Sequence, residues 1–156
     1  MREGTGNREQ GEDGMSIEKL MEAVRDALKE IPYLCDTPVI VEDLGDISKG
    51  IETYFGKSTR CVVVMFAGSE PVKQGAGLLI DSVKIAVRCY DKPSLTRVDH
   101  TDLTLLGMAR AIAHNLQGAK APGMTSCLFY RGISQITQHN RDVVSCDVFF
   151  DTKETL

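Results

Sequence analysis

The feature that most constrains this chain is an uninterrupted apolar run, Cys61-Val62-Val63-Val64-Met65-Phe66. Valine's branched β-carbon favours extended backbone, and a run with no polar residue leaves no face for water. The run is strand-sized and far too short to span a bilayer. It predicts a strand covered on both faces, or nearly so, within a sheet that needs other layers packed on it. Ala67 to Gly77 follows with three glycines and one proline, which predicts a long exposed loop. Leu78 to Tyr90 resumes as a strand in which Val83, Ile85, Val87 and Cys89 alternate.

The covering layers are also written in the sequence. Ile17, Leu20, Met21, Val24, Leu28 and Ile31 repeat at helical spacing after Ser16, an N-cap residue with Glu18 in the first turn. Pro32 ends that helix at Ile31 or just before. Pro38 to Val41 is a short extended piece. Asp46 caps a brief second helix carrying Ile47, Ile51 and Phe55, with Gly50 in its middle and Gly56 at its end. A long helix runs from about Asp99 to Gln117, with Leu105, Met108, Ala109, Ile112 and Leu116 on its core face and Gly118 as its C′ residue. Three strands close the chain: Ser126 to Arg131, Ile133 to Gln138 and Val143 to Asp151. Gly132 marks a bulge or tight bend, and a turn lies near Asn140.

Helices and strands mix without a strict βαβ rhythm. The order predicts an α+β fold: a mostly antiparallel sheet with two main helices and one short helix on one face. Residues Met1 to Gly14 have no apolar periodicity and are expected as a disordered leader, with 15–156 as a single domain. A domain of this length buries a core without disulfides or metal.

Charge and cysteine usage exclude several classes. The net charge is −4, with no Lys/Arg cluster, which argues against a protein that grips phosphates. No segment has the length and apolarity of a membrane helix, and the polar N-terminus is not a secretory signal. The five cysteines, Cys35, Cys61, Cys89, Cys127 and Cys146, form no CxxC pair. They are expected as reduced thiols, four of them in apolar strand-like segments, in a chain made in a reducing cytoplasm.

Candidate chemistry is sparse. His100 lies between Asp99 and Asp102, but no second ligand stands one helical turn away, and a solvated helix start is the plainer explanation. His114 lies opposite the core stripe, and His139 lies in a turn. The segment from Gly68 to Gly77 contains Lys73, yet the lysine precedes the later glycines and a strand follows, so it is no phosphate cradle. No cofactor site, metal site or catalytic motif emerges, and the chain is not expected to be an enzyme.

Assembly is better supported. The outward face of the long helix carries Leu103, Gly107 and Ala111, small or apolar where an isolated domain is usually polar. Gly107 costs about 1 kcal/mol relative to alanine inside a helix, and close approach by a neighbour is one reason to keep it. Phe149 lies on the opposite side of its strand from the core positions. Lys73 and Gln74, at the expected hairpin tip, complete the candidate contact residues. A second layer of the same chain covering these positions is the competing explanation.

This element order resembles the tail terminator and tail-completion family of tailed phages and prophages, which includes minor tail protein U. The resemblance covers roughly Ile17 to Phe150. It rests on the leading helix ending in Ile31-Pro32-Tyr33, a short helix near Ile47 to Phe55 and the two-strand unit from Cys61 to Tyr90. The helix from Asp99 to Gln117 and a meander closing on Val148-Phe149-Phe150 complete it. It implies a non-catalytic subunit that forms a homo-oligomeric ring, commonly a hexamer, on the end of the tail tube. The ring caps the tube and meets the head-completion proteins, while DNA only passes through. Such a protein is assembled in the host bacterial cytoplasm and resides in the virion tail. The alternatives are a small-molecule or peptide binding module, or an enzyme using His100 with Asp99 or Asp102.

Overall fold

The computed structural model describes residues 16–42, 60–75, 78–92, 105–139 and 143–155, apart from the side chains of residues 73–75 and 78. The expected leader, the short helix at residues 47–55, and Asp99, His100 and Asp102 lie outside these residues.

Helix α1 spans Ile17–Lys29. Ser16 caps it, its hydroxyl accepting the Lys19 backbone N–H at 3.1 Å. Leu20, Met21, Val24 and Leu28 form its buried stripe. Pro32 opens a short 3₁₀ turn, Pro32–Leu34, because it cannot donate to a continuing helix. Strand β1, Val39–Val41, then lies parallel to β2, Arg60–Gly75. Strand β3 is Leu78–Asp91, helix α2 is Leu105–Leu116, and β4, β5 and β6 are Phe129–Ile133, Thr137–Gln138 and Val144–Thr155.

The sheet order is β1-β2-β3-β6-β4, with β5 also pairing to β6. Every pairing except β1 with β2 is antiparallel. The fold is therefore α+β, as the element order predicts. Both helices pack on one face, where Val62, Val64, Val83, Ile85, Val87, Cys89, Cys146, Val148 and Phe150 meet their apolar stripes. A smaller buried cluster, Cys61, Val63 and Tyr90 with Ile40, Met65 and Val143 against it, lies on the opposite face. The apolar run is thus covered on both faces from Cys61 to Val64 and opens at Phe66.

Two expectations need correction. The exposed loop expected at residues 67–77 is instead mostly strand: β2 continues to Gly75 and β3 begins at Leu78. The glycine and proline that suggested a loop sit at irregularities of the ladder. The register shifts between Phe66 and Ser69, where Gly68 has a φ of 110°, and again between Pro71 and Lys73. Bulges absorb such residues without ending a strand. Among the described residues only β1 pairs with this side of β2, and only at Val62–Val64, so Pro71 stands at an outer edge there, where a missing N–H is tolerated. Lys73 and Gln74 consequently belong to a strand arm, paired with Ile80 and Leu79.

The closing meander also differs in its bounds. β4 starts only at Phe129, because the backbone of Leu128 pairs with the segment after α2: Gly118 donates to Leu128 at 2.8 Å, and Leu128 donates to Ala119 at 2.9 Å. β6 runs beyond residue 151 to Thr155. Gly132 is a bulge as predicted, with a φ of 122° and a register shift between Tyr130 and Gly132. Gly118, with a φ of 78°, follows the end of α2.

Candidate interaction surfaces

Directly opposed residues in an antiparallel ladder point to the same face. The register therefore lays out the helix-free face as cross-strand rows. Cys61, Tyr90, Ser145 and Thr137 form the first, and Val63, Arg88 and Asp147 the second. Met65, Ala86, Phe149 and Gly132 form the third; Lys84, Asp151 and Phe129 form the fourth.

Burial grades along these rows. The first is largely buried at Cys61, Tyr90 and Ser145, whereas Phe149 is half-buried and Phe129 is 47% exposed. Around Phe149 lies a groove of about 430 Å³ lined by Ala67, Lys84, Arg131, Phe150 and Asp151. Its charges pair off: Arg131 Nε donates to Asp151 Oδ2 at 2.7 Å, and Lys84 Nζ to Glu70 Oε1 at 3.2 Å. Exposed pairs of this kind contribute at most about 1 kcal/mol. In the second row Arg88 grips Asp147 with two hydrogen bonds, 2.7 and 3.1 Å long. That carboxylate pushes the Arg88 pKa further up, outweighing the opposing effect of burial. An aromatic patch bordered by paired charges has the composition of a protein contact: apolar anchors within a polar rim.

The second surface is the outer side of α2. Gly107 and Ala111 are half-buried, so the protein itself covers part of this side. The exposed apolar residue is Leu106, at 44%, with Arg110 and His114 exposed along the same helix. Leu103 lies outside the described residues. The structure thus places Phe149 and α2 on opposite faces of the sheet. It does not gather the expected contact residues into one patch.

Sequence reasoning missed Leu106, Phe129 and Tyr130. Leu106 adjoins the core position Leu105, and only the helical phase separates them. Tyr130 lies on the helix side of β4, edge-on to Phe150 at 6.1 Å between ring centroids, with its N–H donated to Gln117 Oε1 at 2.6 Å. The Gly132 bulge sets which β4 residues reach which face, and strand composition alone does not reveal it.

One contact has the form of a catalytic dyad. His139 Nε2 lies 2.6 Å from Ser145 Oγ, with its ring 5.6 Å from that of Tyr90. Nucleophilic serine chemistry needs an accessible hydroxyl and a base oriented by a third group. Ser145 is buried within the ladder, and among the described residues no carboxylate bonds the His139 ring. The contact instead joins His139, just past β5, to β6, beside the bond that the His139 N–H donates to the Val143 carbonyl at 2.9 Å. Among the described residues no group of three or more His, Cys, Asp or Glu is placed to hold a metal, and no helix is long and apolar enough to cross a membrane.

No family model matches the sequence, and neither does any curated protein. A solved structure does share the fold. A chain of the "Virion of native gene transfer agent (GTA) particle" superimposes with a TM-score of 0.59. The match covers 88% of this chain and 95% of that one, at 14% sequence identity.

Proposed function

We propose that this chain is a structural subunit of a phage-like particle. Its role is that of a ring-forming tail terminator, or of a neighbouring neck or minor tail component. It caps the tail tube and presents a surface to head-completion proteins, and its action lies in contacts between subunits rather than in catalysis. The observation that carries this reading is the fold held in common, over nearly the whole of both chains, with a chain from a gene transfer agent virion.

The disposition of the two surfaces supports a ring. A closed head-to-tail ring needs two different contact patches on each subunit, whereas a two-fold dimer needs only one. The Phe149 groove and the outer side of α2 lie on opposite faces of the sheet and differ in chemistry. The net charge of −4 suits a lumen through which DNA slides without being gripped. In this role the protein is placed in the virion tail after assembly in the host cytoplasm. A small-molecule pocket is less well supported, because the groove's polar groups already bond one another.

The test is the native mass by light scattering after size exclusion, over a range of concentrations, together with co-sedimentation on assembled tail tubes. A mass near six subunits, or rings that build with concentration, supports the reading. A monomer at every concentration that also ignores the tube defeats it.

A further inference from the structure

Cys89 on β3 and Cys146 on β6 are direct cross-strand partners. Both are buried in the main core, on the face that carries the helices. We propose that this pair is an oxidation site, set to close into a cross-strand disulfide when the protein meets a small-molecule disulfide. This property goes beyond the assembly role and does not depend on it.

The register supplies the geometry. Opposed residues of an antiparallel ladder lie about 4.5–5.5 Å apart at Cα. A disulfide accepts about 4.4–6.8 Å. The two thiols stand opposite each other across the ladder, in one buried cluster. The neighbouring Cys146 and burial together push the Cys89 thiol well up, which leaves Cys146 as the better attacking group. Cys146 also lies close to the start of β6 at Val144, and strand ends open locally at low free energy. The remaining thiols are placed differently. Cys61 stands opposite Tyr90 on the other face, Cys35 is exposed, and Cys127 is partly exposed.

The chemistry balances without a metal or enzyme. The Cys146 thiolate attacks one sulfur of the oxidant, breaks its S–S bond and releases one thiol. Cys89, losing its proton, attacks the mixed disulfide at the Cys146 sulfur and releases the second thiol. The protein gives up two electrons and two protons; the small disulfide is reduced to two thiols.

The test is incubation of the full-length protein with oxidised glutathione, followed by alkylation and non-reducing peptide mapping. The expected result is a peptide joining Cys89 to Cys146, a mass lower by two hydrogens, and a melting temperature raised by about 10 °C. The Cys146→Ala and Cys89→Ala variants should lack the joined peptide. If the two thiols are still free for alkylation after denaturation, or if mixed disulfides appear only on Cys35 and Cys127, the proposal is overturned. The mapping on the unaltered chain decides this even where a variant fails to fold.

Discussion

The carboxylate of Glu154, with no exposed surface, accepts the backbone N–H of Thr125 at 2.7 Å. It also accepts the Ser126 N–H at 3.1 Å and the Thr152 hydroxyl at 2.8 Å. A polar residue at the end of β6 thereby ties down the connection between α2 and β4. Glu154→Ala leaves these donors without their acceptor and should destabilise the fold by about 2 kcal/mol. Glu154→Gln retains one acceptor oxygen and should lose roughly half as much. Urea denaturation midpoints at constant m-value check both.

A ring with two unlike contact faces predicts a particular complementation. Leu106→Asp and Phe149→Asp should each abolish assembly, with little effect of the first on the melting temperature. Each variant keeps one intact face, so their mixture should give a discrete pair and nothing larger. Light scattering of the mixture distinguishes this from a two-fold contact, in which both positions would belong to one patch.

Burial pushes the Cys61 thiol up to about 11, against a backbone hydrogen bond from Val62 that opposes it. The folded protein therefore holds this proton more tightly than the unfolded chain. The linked stability is fully present below about pH 9 and is lost as pH rises through about 11. Cys61→Ala should flatten that alkaline decline, measured as denaturation free energy against pH. Iodoacetamide at pH 8 should label exposed Cys35 well before Cys61.

Gly132 has open space where a β-carbon would stand, yet its φ of 122° is one that residues with side chains rarely adopt. Gly132→Ala should destabilise by about 1–3 kcal/mol through backbone strain rather than collision. The loss should leave the amide protection of β6 with β3 intact while reducing that of β4, a difference that hydrogen exchange reads directly.

These elements differ in how far the sequence announces them. The Ser16 cap, the Pro32 stop and the stripe from Leu20 to Leu28 are local signals, and α1 follows them closely. Alternation from Val144 to Phe150 likewise places β6 and puts Phe149 on the face away from the helices. The arm of β2 is obscured because Gly68 and Pro71 are loop formers when read alone and bulge or edge residues in a ladder. The tail of β6 is obscured because Thr152 and Glu154 are buried through hydrogen bonds to Ser126 and Thr125, which lie far away in sequence. The parallel setting of β1 has no local signature, since three residues fit either direction. The groove around Phe149 depends on register across strands that are distant in sequence, so one of its residues is recognisable in advance and its neighbours are not.

The outer edge of β2 beyond Val64 meets no other strand among the described residues. An open edge of this kind is a template on which other chains can add, and fibre growth requires it to be flat and regular. Two bulges and a proline break that regularity within a short stretch. This stretch of β2 is therefore a poor template for a second copy to add to edge to edge.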